Sequence, residues 1–427
     1  MIQRRARARR TTHVESRNIA KAPIRVLMVA PSLAVLGGQS WQAASLLEHL
    51  RQEPSLEVSF LPHNPRLPGP LGKLQTIKYV RTIVASLLYW AMLLMRERKY
   101  DIIHIFSASY YSYLLWTVPA FLIGKLYGKK LILNYRSGEA EDHLQNWRWT
   151  AIPTIRLADA IIVPSDYLVE VFARFDLQAR AIFNIVELER FSFRERRPLY
   201  PVFLTSRLLE PLYNVGCVLR AFAMIQQRFP EARLTVAGDG WQRAELEELA
   251  HQLGLRHIEF IGRVAFKEMP ALYDGADIYL TATDIDNMPS SILECFAAGL
   301  PVVTTDAGGI PYILTHEETG LMVQRGDHRA LAASAIRLLE NDALANKIAF
   351  QARKHCRRYS YEAIRSEWFK LYHELAHDGV LAQNKGTVAP GQTPLVSQHA
   401  TQRRTVFRRG LSIDSDTSGV SVHHSKR

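Results

Sequence analysis

Cysteine is scarce in this chain. Three thiols in 427 residues, Cys217, Cys295 and Cys356, form an odd, widely spaced set with no C-x-x-C pair. A disulfide scaffold is excluded, and reduced thiols in the cytosol are the expectation. No P-loop, G-x-G-x-x-G fingerprint or G-x-S-x-G elbow occurs, so the common signatures of nucleotide hydrolysis, dinucleotide binding and serine hydrolysis are missing. The opening MIQRRARARR is not followed by the apolar stretch of a secretory signal. An Arg-rich, acid-poor start is also what organellar transit peptides show.

The folded body has no charge excess either. The net charge is +12, yet residues 1–25 contribute eight cations against one Glu, and residues 380–427 seven against two Asp. Residues 26–379 are left with 38 of each sign. A basic field able to hold nucleic acid is therefore absent from the body, and no nucleic-acid partner is expected. Both tails, 1–23 and 379–427, are poor in large apolar residues and read as disordered. Solvated tails and tails that meet anionic lipid are both open.

At ~150 residues per domain the length allows two or three domains. Short β-branched runs alternate with helical-period segments, the pattern of parallel α/β sheets. Six runs precede residue 190: 24–31, 56–62, 101–106, 130–135, 160–165 and 180–186. Six follow: 201–207, 233–239, 258–263, 277–283, 301–307 and 320–324. The expectation is an α/β chain of two doubly wound, Rossmann-like domains, 24–192 and 202–358, joined by a hinge at 193–201. A helix over about 359–378 closes the body.

Two uncharged runs invite comparison with membrane spans. Thr82–Met95 has fourteen residues, which as a helix reaches only ~21 Å of a ~30 Å hydrocarbon core. Ile105–Gly124 is long enough but starts inside a strand and contains Ser107, Ser109, Ser112, Thr117 and Pro119, so a buried strand-loop-helix is the better reading.

Two segments carry chemistry. After the first strand, Gly37-Gly38 makes a turn into a helix whose bare N–H groups can meet an anion. An ordinary strand-ending turn is the plainer alternative. The second segment is DIDNMPSSILECFAAGLPVVTTDAGGIPYI, 284–313. A helix beginning near Pro289 leaves Asp286 in the loop at its positive end and Glu294 a turn further in. That supplies one carboxylate for sugar hydroxyls and one for a ribose diol, with helix-start amides for a diphosphate. Asp286 as a simple helix-entry cap is the competing reading.

These residues resemble the family-4, retaining glycosyltransferases of GT-B fold, across roughly residues 24–378. The family's E-x7-E matches Asp286-x7-Glu294, with Asp for the first Glu. Further landmarks follow in family order: Gly37-Gly38, NIVELERF (184–191), SRLLEPLYNV (206–215), VAGDG (236–240) and FIGRV (260–264). The resemblance implies two domains around a cleft, with the closing helix returning to the first. It also implies a UDP- or GDP-sugar donor, a glycan or lipid-linked acceptor, retention at the anomeric carbon, and no resident metal or cofactor. Carried over by position, Glu294 binds the ribose and Asp286 the transferred sugar, and Arg207 neutralises the diphosphate. Gly262, Arg263 and Val264 frame the base, with Gly238 and Gly240 of the glycine-rich turn beside it. Asn287, Met288, Pro289 and Ser290 form the donor loop. Gly37 and Gly38 contact the diphosphate or acceptor from the opposite domain.

Three departures stand out. The family's Lys five residues after the arginine is Leu212, its histidine after the fourth strand is Arg136 with His143 nearby, and its Glu after the Gly-Gly turn is Tyr312. Either Arg136 supplies the lost positive charge, or the chain is an inactive GT-B subunit that binds a nucleotide-sugar or a partner enzyme. Glu139, Glu141 and Asp142 are acceptor-side candidates. His104 reads as a strand histidine, and HELAH (373–377), despite its H-E-x-x-H spacing, as the end of an amphipathic helix. A cytoplasmic protein is expected, peripheral on a membrane if Thr82–Met95 lies in an interface with Tyr89 and Trp90 at headgroup depth. Between Glu57 and Glu97 there is no acid, whereas Arg66, Lys73, Lys78, Arg81 and Arg96 are all cations, which suits anionic lipid.

Overall fold

The structure, a computed structural model, describes residues 22–33, 37–65 and 78–381. The two expected tails, with Arg66 and Lys73, fall almost wholly outside them. Every β-branched run yields a strand. β1 (Ile24–Ala30), β2 (Leu56–Pro62), β3 (Ile102–Ser107), β4 (Lys130–Tyr135), β5 (Ala160–Val163) and β6 (Arg180–Ala181) form one sheet. β7 (Val202–Ser206), β8 (Arg233–Ala237), β9 (Ile258–Gly262), β10 (Ile278–Leu280), β11 (Val302–Thr305) and β12 (Leu321–Val323) form the other. The orders are β2-β1-β3-β4-β5-β6 and β12-β11-β10-β7-β8-β9, and every pairing is parallel. Strands such as β3, buried at all six positions, need helices on both faces, which accounts for their unbroken apolar runs.

Several strands are shorter than their runs, β10 keeping three residues of 277–283 and β6 only two of 180–186. The 180–186 run pairs only at Arg180–Ala181, because the following backbone takes other partners. Ile185 N–H donates to Gln42 Oε1 at 2.8 Å and Val186 N–H to the Tyr359 carbonyl at 2.9 Å.

In the first half, α1 is Gly38–Arg51, α2 Lys78–Arg96, α3 Val118–Leu126, α4 Ala140–Asn146, α5 Arg148–Ile155 and α6 Asp166–Ala173. Helices α2 to α6 bury Tyr89, Phe121, Leu144, Ile155 and Phe172 against Leu27, Ile103 and Leu133 on one sheet face. Tyr89 is thus a core residue, not an interfacial one; its hydroxyl donates to the Trp116 carbonyl at 2.7 Å. α1 covers the other face, and the closing helix, Tyr361–Leu381, packs beside it through Ile364, Trp368, Leu371 and Tyr372. Arg365 fastens that helix to Glu53 with two hydrogen bonds, 2.5 and 2.7 Å. His104 lies beneath it, bonded to Tyr372 Oη at 2.8 Å and Asn134 Nδ2 at 3.0 Å. Burial lowers the His104 pKa to about 3, so it is a neutral structural histidine. Glu374 of HELAH faces Arg180 at 3.2 Å, an ion pair on the helix surface.

The second half adds α7 (Val215–Arg228) and α8 (Ser290–Ala298). Its expected hinge is held down. Arg196 is buried and donates to the carbonyls of Tyr273, Ala276, Ala298 and Gly299 at 2.8–3.0 Å. Among the described residues no helix is long and apolar enough to cross a membrane.

Candidate functional site

In wound sheets, ligands collect beyond the strand carboxyl ends where the strand order reverses. Here the reversals lie between β1 and β3 and between β7 and β10. From the segments that leave these strands, Leu33, Gly37, Gly38, Arg207 and 285–291 line one cavity of about 700 Å³ between the two sheets. Arg136, which follows β4, lines it as well.

The α8 end is built by close backbone approach. Gly308 and Gly309 pack directly on the carbonyls of Asp286 and Asn287, where any Cβ would collide. Gly309 N–H also donates to the Asp286 carbonyl at 3.0 Å. The Ala307-Gly308-Gly309 turn is therefore a support for the donor loop. α8 starts after Pro289 with no side-chain cap, which leaves its first amides and their partial positive charge directed at the cavity.

Glu294 lies one turn in, 7% exposed. Its Oε2 accepts from Tyr273 Oη at 2.7 Å, and burial raises its pKa to about 7. Arg207 and Asp286, given separate roles by sequence, are hydrogen-bonded to each other; Arg207 Nη1 also donates to Ser291 Oγ at 3.2 Å. The guanidinium lies over the Tyr213 ring at 4.6 Å, and its Nε is buried without a partner. Arg136 has neutral partners only: its Nε donates to Asn134 Oδ1 at 3.0 Å and its Nη1 to Asn184 Oδ1. Burial draws its pKa down to about 9, which leaves it charged at pH 7.

Gly37, Gly38, Gly238, Arg263, Val264 and 287–290 all line the cavity. Gly240 and Gly262 do not. Gly240 packs behind, on the Leu209 carbonyl, and the Gly262 carbonyl accepts from Gly238 N–H at 2.7 Å. These two glycines shape the loops behind the cavity wall. Of the acidic cluster, Glu139 reaches the cavity, while Glu141 pairs with Arg174 and Asp142 accepts from Tyr110. His143 is bonded to Tyr135 Oη at 2.8 Å. Leu212 lines the wall where the resembled family has lysine. Tyr312 lies against Tyr167, ring centroids 6.0 Å apart.

Sequence reasoning named Asn287, Met288 and Ser290 for the donor loop but missed Trp41 and Gln42 and the joining of the halves by all of them. Trp41 of α1 stacks on Phe266, and Arg190 covers Phe266 at 3.8 Å and Trp41 at 5.0 Å. Gln42 Nε2 donates to the Ile185 carbonyl at 2.9 Å and to Ser290 Oγ at 3.3 Å. Asn184 Nδ2 donates to the Met288 carbonyl at 2.9 Å, and Asn287 Nδ2 to the Arg136 carbonyl at 2.8 Å. The local signals were Trp41-Gln42, in the first turn of the helix after Gly37-Gly38, and the 184–191 segment that holds Asn184 and Arg190.

With this geometry in place, comparison with known proteins is specific. Residues 36–190 match the family model for Glycosyltransferase Family 4, and residues 189–355 that for Glycosyl transferases group 1. Phosphatidyl-myo-inositol mannosyltransferase of Mycobacterium leprae is 29% identical over 209 residues, 47% of this chain and 54% of its own length. D-inositol 3-phosphate glycosyltransferase of Corynebacterium urealyticum is 30% identical over 175 residues, 39% and 41% of the two chains. The chain thus spans about half the length of the curated relatives it matches. Sucrose-phosphate synthase from Thermosynechococcus elongatus superposes with a TM-score of 0.67 at 19% identity, over 82% of this chain and 99% of that one. Anabaena HepE, solved with UDP and glucose, gives 0.64 at 18%, over 82% and 99%. Two adjoining family models and this shared two-sheet architecture lead to one conclusion: the chain belongs to the group 1, family 4 glycosyltransferases of GT-B fold.

Proposed function

We propose that the chain is a retaining glycosyltransferase that moves a sugar from a UDP- or GDP-sugar to a glycan or lipid-linked acceptor. One observation carries the reading: a buried carboxylate, Glu294, lies a turn inside an uncapped helix start in the same cavity as Arg207. In this reading Glu294 accepts from the ribose diol, and the α8 amides with Arg207 hold the diphosphate. Asp286 takes hydroxyls of the sugar. As the anomeric carbon–phosphate bond breaks, the acceptor oxygen bonds the same face, and its proton passes to the departing phosphate oxygen. The protein positions the reactants and stabilises growing phosphate charge, so no carboxylate nucleophile or metal is required. The UDP and glucose held by HepE and the mannosyl transfer named for the M. leprae relative support a hexose donor.

A second reading, an inactive subunit that binds nucleotide-sugar or a partner enzyme, is favoured by Leu212 and by the closed Arg207–Asp286 pair. Release of UDP or GDP, followed with and without candidate acceptors, separates the two. Acceptor-dependent release with an unchanged anomeric configuration in the product supports transfer. Nucleotide binding without release under any acceptor leaves the binding subunit, and an inverted product removes retention.

A further inference from the structure

The outward side of the α2–α5 layer is the most apolar exposed surface among the described residues. On α2, Ile83, Leu87, Trp90 and Leu94 are all exposed. Their spacings of four, three and four place them on one stripe, opposite the buried Ala85, Tyr89 and Leu93. Met95 adjoins them. The next segment adds Tyr111 and Leu114, α3 adds Leu122 and Leu126, and α5 adds Trp149. Trp149, Leu126 and Tyr111 are 84%, 74% and 71% exposed. Ten of the nineteen large apolar side chains exposed in the described residues lie on this single layer. All its helices pack on the same sheet face, so their outer sides share one aspect of the domain.

The charges around this surface are predominantly positive; Asp142 of α4 is exposed but accepts from Tyr110 and Asn146. Arg81, Arg98, Lys99, Arg148 and Arg156 are exposed. The sole acid between residues 78 and 99, Glu97, is wholly buried, and burial raises its pKa to about 9. Glu141 and Asp159 are occupied by Arg174 and by Lys125 with Lys130. Apolar side chains with Trp and Tyr among them, rimmed by unopposed cations, match the headgroup–acyl boundary of an anionic bilayer. A water-facing surface would not concentrate them.

We propose that the outer side of the α2–α5 layer, from Ile83 to Trp149, is a docking surface for anionic lipid bilayers. The protein lies on the membrane without crossing it. The inference goes beyond the transfer reading, since vesicle capture is scored without turnover.

The test is flotation of the full chain with phosphatidylglycerol–phosphatidylcholine vesicles and with phosphatidylcholine alone. Two variants accompany it, L87S/L94S/W149S and R81E/R98E; both change exposed side chains, and circular dichroism confirms their fold. The expected result is capture by the anionic vesicles that weakens as salt rises, with little capture by the neutral ones. Each variant should lose at least about tenfold, given roughly fivefold per cation near an anionic surface. Absence of wild-type capture, equal capture by neutral vesicles, or undiminished capture of both folded variants would overturn the proposal; the last result would assign the binding to the basic tails. A dimer in light scattering that the same substitutions disperse would also overturn it, by making the surface a contact between copies.

Discussion

Glu294 makes the cavity sensitive to pH. Its pKa, raised to about 7 by burial, means that the folded protein holds a proton that the unfolded chain loses near 4.5. This group's contribution to stability is therefore present below about pH 4.5 and is lost as pH rises through about 7. Glu97, raised to about 9, extends the same loss upward. The melting temperature should fall between pH 5 and 9, with Glu294→Gln flattening the lower part of the curve and Glu97→Gln the upper. A flat wild-type curve would refute both assignments. A ribose diol donates to the ionised carboxylate, so nucleotide binding should release a proton below about pH 7 and strengthen as pH rises to about 8. Calorimetry in two buffers of different ionisation enthalpy reads this directly, and Glu294→Gln should abolish it. Arg207 acts on the leaving group. Arg207→Ala should lower turnover by about 10²–10³-fold while changing nucleotide affinity less; an unchanged turnover would move the phosphate role to Arg136 and the α8 amides.

At the scale of elements, the glycines of the two turns at the cavity differ in what they are needed for. Gly308, at φ +50°, lies against the Asp286 carbonyl, whereas Gly37, at φ 170°, is in extended backbone with open space around it. Gly308→Ala should cost about 1–3 kcal/mol in urea unfolding and displace Asp286 from Arg207. Gly37→Ala should stay within ~0.5 kcal/mol of wild type. Equal effects would contradict the close-approach argument. The strands and α8 were legible because they are local: β-branched runs, turn residues, and Pro289 before an apolar helix. The Asp286–Glu294 spacing was legible for the same reason, since one short loop and the first turn of α8 span it. The Arg207–Asp286 pair and the Tyr273–Glu294 bond were not, because those partners are 79 and 21 residues apart and meet only through sheet order. Gly240 and Gly262 lie behind the cavity lining, which was not legible because a glycine motif signals close backbone approach without saying what approaches. Tyr89 was misplaced because a run apolar all round does not reveal its inner side.

For the molecule as a whole, the cavity exists only while its halves are joined. Trp41 on Phe266, Gln42 on Ile185 and Ser290, and Asn287 on the Arg136 carbonyl hold the first half against the donor loop. Trp41→Ala should increase the radius of gyration in small-angle scattering and weaken nucleotide binding without loss of circular dichroism. Unchanged scattering with unchanged binding would show that the stack holds nothing together. The central claim is that this cavity binds a nucleotide-sugar through Glu294. Calorimetric titration with UDP, GDP and their sugar conjugates at pH 8, wild type beside Glu294→Ala, tests it most directly. The account predicts saturable binding of at least one of these to wild type, weakened by about 1–3 kcal/mol in the folded variant, where a buried diol has lost its acceptor. Wild-type affinity in the variant, or binding of none of these nucleotides to the wild-type chain, would contradict it.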